Sequence, residues 1–408
     1  MRIRFILFNA YLGGGTVRTV FNTAGLLAAR GHEIEVVSVY RHREKTRFPV
    51  PPGVVLRVLT GQAFDTGWRG GPAAVARRVG QGALRRLPSV VTPREESRSR
   101  QYNAAGDLAL RRYLRSVHDG VVVTTRSGLN LALARWARPG VITVAQEHLH
   151  LRAHSEGLQR RFRDSYGRLD ALVTLTERDR DQYRELLGPD ARIVAVPNAV
   201  AVEHDGPALS RHDNVAVAAG RLSRQKGFDL LIRAWRRVGE QHPDWKLHIF
   251  GSGPRHDRLQ ARIDKLGLGD RVQLMGFTEE LEEELSRAAL FILSSRFEGL
   301  PMVLIEAMNL GTPVVAFDCP TGPAELVEDG VTGLLVEPLK VKALAGAINR
   351  AIEDPELRAA MGKAGQQRVR ELNPGAVADH WERLLEELFA AHSAGLRGIG
   401  DESVSVDP

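Results

Sequence analysis

Val215-Ala216-Val217-Ala218-Ala219-Gly220-Arg221-Leu222-Ser223-Arg224-Gln225-Lys226-Gly227-Phe228 reads as a short strand, a glycine-bounded loop and the start of a helix. The opening residues are apolar without a polar break, as in a strand covered on both faces. Arg221 and Lys226 stand five residues apart in the loop, at the carboxyl end of that strand. A forked guanidinium and a point-charge ammonium at such a place suit a diphosphate. A basic surface turn is the plainer reading of this loop taken alone.

Outward from it, short apolar runs alternate with amphipathic stretches, the pattern of parallel sheets sandwiched by helices. In the first half, strands are expected near Ile3–Asn9, Glu33–Tyr40, Val54–Leu59, Val121–Thr125, Val141–Gln146, Ala171–Leu175 and Ile193–Val196. In the second half they are expected near Val215–Ala219, Trp245–Phe250, Val272–Gly276, Leu290–Ser294, Val314–Phe317 and Gly333–Val336. A helix over Thr16–Arg30 would align Val17, Val20, Phe21, Ala24 and Leu27, with Gly31 as its stop. The expected fold is α/β: two facing doubly wound parallel-sheet domains, residues 1–200 and 215–373, joined by a linker at 201–214. A helix over 374–392 is expected to cross back to the first domain, and a disordered tail to follow at 393–408. Two such units create a cleft, the usual ligand site.

Composition narrows the classes. The single cysteine, Cys319, excludes an internal disulfide and a thiolate metal cluster and suits a cytoplasmic protein. The apolar stretch Phe5–Phe8 is too short for a signal core or a membrane span. The net charge of +7 conceals an asymmetry: residues 1–200 hold 32 Lys/Arg against 17 Asp/Glu, and residues 201–408 hold 24 against 32. The basic half points to an anionic partner, such as a phosphorylated acceptor or the inner membrane face, unless the asymmetry has no ligand behind it. No nucleic acid is expected as a partner. Residues 62–100 form an arginine-rich excursion without firm period, with one or two short helices, either an acceptor-side or membrane-facing segment or a merely solvated insertion.

Other stretches carry chemistry. Gly13-Gly14-Gly15 opens the first helix, where backbone N–H groups can meet an anion. It is not a dinucleotide fingerprint, because Glu35 lies inside the second strand rather than at its end. Gly251-Ser252-Gly253-Pro254 makes another close-approach turn. The most specific stretch is Phe297-Glu298-Gly299-Leu300-Pro301-Met302-Val303-Leu304-Ile305-Glu306-Ala307-Met308. Glu306 stands among Met302, Val303, Ala307 and Leu310 on an apolar helix, where a carboxylate is costly unless it is hydrogen-bonded. Glu298 precedes that helix, beside the N–H groups of Gly299, Leu300 and Met302. The arrangement describes a polyol site.

This block resembles the E-x7-E signature of family 4 retaining glycosyltransferases, which have the GT-B fold. The resemblance runs back through Gly220–Lys226 and forward through Gly311–Ala316 and Gly322–Val327. In the first half it is carried by the Gly13–Gly15 unit and Val196–Ala199. It implies that Arg221 and Lys226 neutralise a donor diphosphate, that Glu298 binds hydroxyls of the transferred sugar, and that Glu306 holds the ribose. It also places Gly14 and Gly15 at the donor phosphate, Gly220 and Gly251 in the donor loops, and the base near Gly276 and Phe277. His148 would face the donor sugar and acceptor, with His150 as the competing choice. His148, His150 and His154 could be read as a metal site, but the family is generally metal-independent and no carboxylate spacing fits. No cofactor is implied beyond a UDP- or GDP-linked nucleotide-sugar co-substrate; the acceptor is a hydroxyl compound, for which the basic half favours an anionic one. An epimerase, a phosphorylase or a catalytically silent nucleotide-binding partner shares the architecture. The first two call for other carboxylate or lysine patterns, and the last for loss of Arg221, Lys226, Glu298 or Glu306, all of which are present.

Overall fold

The computed structural model describes residues 1–61, 84–96, 99–199, 214–370 and 372–395. The expected linker up to residue 213, parts 62–83 and 97–98 of the basic excursion, and the tail from 396 lie outside them. All thirteen expected strands form, with ends differing by at most two residues. They are β1 (Arg2–Leu7), β2 (Glu33–Arg41), β3 (Val54–Gly61), β4 (Val121–Thr124), β5 (Ile142–Gln146), β6 (Ala171–Thr174) and β7 (Ile193–Ala195). The second series is β8 (Val215–Ala219), β9 (Lys246–Phe250), β10 (Val272–Gly276), β11 (Leu290–Leu293), β12 (Val314–Phe317) and β13 (Leu334–Val336).

The strands make two sheets, β3-β2-β1-β4-β5-β6-β7 and β10-β9-β8-β11-β12-β13. Every ladder is parallel. Each order runs outward from its first strand and then jumps to the other side, the doubly wound Rossmann arrangement. The chain divides into two compact units, Met1–Ala199 with Val377–Pro408, and Val200–Ala376.

Burial on both faces explains why the strands read as unbroken apolar runs. Ile3, Phe5 and Leu7 of β1 join a core with Val17, Phe21 and Leu27 of the helix Gly15–Ala29. Ile6 and Phe8 turn to the opposite core, with Leu110, Leu133 and Phe162. In the second unit, Leu247, Ile249, Ile292 and Phe317 pack with Phe228, Trp235 and Ile348. Glu35, anomalous inside β2, accepts from the Tyr113 hydroxyl at 2.6 Å and pairs with Arg57 at 2.5 Å. Its presence there is structural.

The helix Pro374–Ser393 places Val377, Trp381, Leu384, Leu385 and Leu388 in the core behind β1. Trp381 meets Phe5 edge-on at 5.9 Å between ring centroids. Arg30, at the end of the first helix, pairs with Asp379 at 2.6 Å and Glu382 at 2.5 Å. No helix of the described residues is long and apolar enough to cross a membrane.

Candidate active site

In a doubly wound sheet, ligands collect at the carboxyl ends of the strands where the winding reverses. In the second unit that point lies between β8 and β11, and the loops leaving these two strands interlock. Arg296 N–H donates to Gln225 O at 2.7 Å, and the Ser294 hydroxyl donates to Lys226 O at 2.9 Å. Gly227 has φ 66°, and a Cβ there would collide with the Ser294 carbonyl oxygen. Only glycine lets the loops approach this closely. Beneath them, Arg296 grips both carboxylate oxygens of Asp229 at 2.8 Å each.

This frame brings Lys226 and Glu298 together. Lys226 Nζ donates to Glu298 Oε1 at 2.6 Å, and the Ser295 hydroxyl donates to the same oxygen at 2.5 Å. Among the described residues, Oε2 receives only the longer contact from Gln225 Nε2, at 3.3 Å. Glu298 is buried, and its N–H donates to Pro320 O at 2.9 Å. Arg221 lies exposed at the start of the same loop, with no ion pair among the described residues.

The glycines expected in the donor loops line up across three strands. Gly220 N–H donates to Phe250 O at 3.0 Å, and Gly251 N–H donates to Gly276 O at 2.6 Å. A Cβ on Gly251 would strike the Gly220 carbonyl, so the loops after β8 and β9 touch through backbone. Phe277, just beyond β10, is 53% exposed, an apolar ring offered to solvent. Gly299 packs against Gly322, and Leu300 is buried. Met302 opens the helix Met302–Asn309. Met302, Val303, Glu306 and Leu310 form its half-buried face, while Leu304, Ile305, Ala307 and Met308 are buried. Glu306 is half-buried with its Oε1 enclosed, and the 3.6-residue repeat sets it beside Met302, Val303 and Leu310, the apolar surround expected from the sequence.

In the first unit, Gly14 caps the helix Gly15–Ala29 with φ 154°. Among the described residues, nothing lies within 4 Å of where a Cβ would stand on Gly14 or Gly15. His148 follows β5 and is half-buried, and its Nε2 has no hydrogen-bond partner among the described residues. Burial and the nearby Arg126 guanidinium push its pKa down to about 3. The ring is neutral at physiological pH, able to donate or accept a hydrogen bond. His150 is more deeply buried, and burial pushes His154 down to about 4. No group of three or more His, Cys, Asp or Glu among the described residues has metal-holding geometry.

Two family models match, Glycosyltransferase Family 4 over residues 13–204 and Glycosyl transferases group 1 over residues 202–368. The chain belongs to the family 4 GT-B glycosyltransferases. It is 36% identical over 395 residues to an exopolysaccharide phosphotransferase of Streptomyces coelicolor, covering 96% of this chain and 41% of that one. The chain thus spans less than half the length of this relative. It is 28% identical over 277 residues to the amylovoran biosynthesis glycosyltransferase of Erwinia amylovora, covering 65% of this chain and 77% of the relative. A solved structure of a mutant S. aureus TarM with fondaparinux, alpha-GlcNAc-glycerol and UDP shares the fold, with a TM-score of 0.76 at 15% identity, covering 94% of this chain and 99% of that one.

The family signature marks Glu298 and Glu306 but not the residues that orient Glu298. Ser295 and Gln225 have no separate signal in the sequence. Asp229 and Arg296 were equally hidden, since a charged pair 67 residues apart leaves no local pattern.

Proposed function

We propose that the chain transfers a hexose-type sugar from a UDP- or GDP-linked donor to a hydroxyl acceptor, with retention of anomeric configuration and without a metal ion. The observation that carries this reading is the Lys226–Glu298 contact at the switch point of the second sheet, beside the exposed Arg221. Cleavage of the anomeric C–O bond builds negative charge on the leaving diphosphate, and stabilising that charge is the main catalytic task. Arg221 and Lys226 are placed to supply it. Glu298 Oε2, the less engaged oxygen, accepts a hydroxyl of the transferred sugar. Glu306, half-buried on the helix Met302–Asn309, takes the ribose hydroxyls, and Phe277 beside Gly276 offers a surface to the base. Gly14 and Gly15 leave room for a phosphate.

In the retaining step, the acceptor oxygen bonds to the anomeric carbon on the face the diphosphate leaves. The acceptor proton passes to a leaving phosphate oxygen. His148, neutral by virtue of its burial, hydrogen-bonds to the reacting hydroxyls rather than titrating.

The acceptor reading rests on charge. Arg41 ends β2, and the loop after it carries Arg43, Lys45 and Arg47. Arg41 donates to the carbonyls of Arg43 at 3.1 Å and Glu44 at 2.9 Å, fixing the loop while Arg43 and Lys45 stay exposed. The Arg47 stem lies against Gly13. An anionic acceptor, a phosphorylated or lipid-linked saccharide handled at the cytoplasmic face of the membrane, fits this patch. The polysaccharide-related names of the relatives agree with it.

The test is thermal unfolding with UDP, GDP and phosphate in EDTA, followed by turnover with the stabilising nucleotide's sugars and NMR of the product anomer. A nucleotide at a hundredfold its dissociation constant adds about 2.7 kcal/mol. A shift with one nucleotide, lost in Arg221→Ala, followed by retained configuration supports the proposal. Stabilisation without turnover on any anionic or neutral acceptor marks a silent binding protein, and an inverted product overturns the stereochemistry.

A further inference from the structure

Glu147 directly follows β5, one residue before His148, and is 2% exposed. Two strong donors converge on its Oε1, the Tyr166 hydroxyl at 2.5 Å and Asn130 Nδ2 at 2.8 Å. Asn130 is turned that way by Thr124, whose hydroxyl donates to Asn130 Oδ1 at 2.6 Å. Oε2 faces the Ser127 hydroxyl at 3.5 Å and His154 Nε2 at 3.8 Å. Glu147 N–H donates to Val173 O at 2.9 Å, tying the same residue to β6.

A carboxylate buried among neutral donors costs more than an apolar side chain of its size. Layer-tying alone does not require one. The next residue supplies a reason: His148 Nε2 is buried with no partner among the described residues, so that atom does not hold its own ring in place. The backbone of the turn carries the ring, and Glu147 pins that turn through Val173, Tyr166 and Asn130.

We propose that Glu147 is the positioning residue for His148, fixing the turn after β5 against the helices Ser127–Trp136 and Glu156–Tyr166 so that the imidazole holds one orientation. This rests on the assignment of His148 to sugar transfer. Because both strong donors meet at Oε1, Glu147→Gln keeps them by placing its amide oxygen there, whereas Glu147→Leu loses both. Misplacing a reacting group by about 1 Å can cost on the order of 100-fold in rate.

The experiment is a double-mutant cycle with His148→Ala, read at a temperature where every variant is folded. Glu147→Gln should keep kcat within about twofold, and Glu147→Leu should lower it about 10- to 100-fold with the donor KM nearly unchanged. In the His148→Ala background, Glu147→Leu should add less than about twofold, because the two residues act as one unit. Equal losses in both backgrounds would overturn the proposal. If Glu147→Leu does not fold, Tyr166→Phe removes one Oε1 donor and takes its place in the cycle. A readout free of turnover is the ring 15N–1H NMR signal of His148. It should be unchanged in Glu147→Gln and displaced or multiple in the disruptive variant; an unmoved signal there overturns the positioning role. Absence of transfer by the wild-type protein would sink the functional reading, and the NMR comparison would still decide the role of Glu147.

Discussion

Lys226 Nζ donates to Glu298 Oε1 at 2.6 Å although 72 residues separate them in the chain. The contact exists because β8 and β11 are neighbours at the reversal of the second sheet, and their loops interlock through Gly227 and Ser294. It joins a cation suited to a phosphate with a carboxylate suited to a hydroxyl.

Replacing the two partners should have different effects. Lys226→Ala removes a charge proposed to face the leaving diphosphate, so kcat should fall about 100- to 1,000-fold. It also leaves Glu298 buried with fewer donors, costing about 1–3 kcal/mol of stability. Glu298→Gln keeps an oxygen for Ser295 and Lys226, so its stability should stay within about 1 kcal/mol of wild type. Its kcat should still drop on the order of 100-fold, while UDP or GDP affinity barely changes. Calorimetric titration of the nucleotide beside steady-state kinetics separates the effects. Equal loss of nucleotide affinity in both variants would contradict the assignment of Glu298 to the sugar.

Acceptor binding is predicted to follow the charge of the loop after β2. Arg43 and Lys45 are exposed and pack no core, so the double substitution Arg43→Glu with Lys45→Glu should leave the melting temperature nearly unchanged. The acceptor KM should rise for an anionic acceptor, more at low salt than at high, while the donor KM stays the same. An unchanged acceptor KM at low salt would show that the basic asymmetry has no acceptor behind it.

Packing behind β1 gives a third prediction. Trp381 is 1% exposed and meets Phe5 edge-on, so Trp381→Ala should cost about 3–5 kcal/mol. Denaturant unfolding followed by circular dichroism measures it. A loss below about 1 kcal/mol would mean that the last helix is not integral to the first unit's core.

The fold was legible because its strands are covered on both faces. Val121, Val122 and Val123 of β4 carry no polar break, and they pack alternately into the two cores of the first unit. The Glu298–Glu306 motif was legible because it is one loop–helix junction with Gly299 and Pro301 inside it. What escaped is what depends on tertiary contact. Gln225 reaches Glu298 from the loop after β8, and Tyr166 reaches Glu147 from a helix 19 residues on. The enclosure of Glu306 Oε1 follows from the apolar neighbours the helical repeat places around it. The arginine-rich stretch at 62–100 lacked a period, and most of it lies outside the described residues.

Acid sensitivity provides the last prediction, because titrating groups near His148 oppose one another. His148 and His154 have pKa values pushed down to about 3 and about 4, chiefly by burial. On unfolding they take up protons below the ordinary histidine value near 6.5, so they make stability fall as pH drops from about 6.5 towards 4. Glu147 and Asp179 are both pushed up to about 7 by burial. They release protons on unfolding between their ordinary values near 4 and pH 7, so they make stability rise as pH drops through that window. The two pairs nearly cancel between pH 4.5 and 6.5, and this cluster should leave wild-type stability there almost independent of pH. Glu147→Gln removes one of the opposing carboxyls and leaves a net uptake of about one proton on unfolding. Its stability should then fall by about 1.4 kcal/mol for each pH unit below 6.5 relative to wild type. Urea unfolding of both proteins at pH 4.5, 5.5 and 6.5 measures the difference. Parallel pH dependence in the two would show that Glu147 titrates at its ordinary value and that burial does not hold its proton.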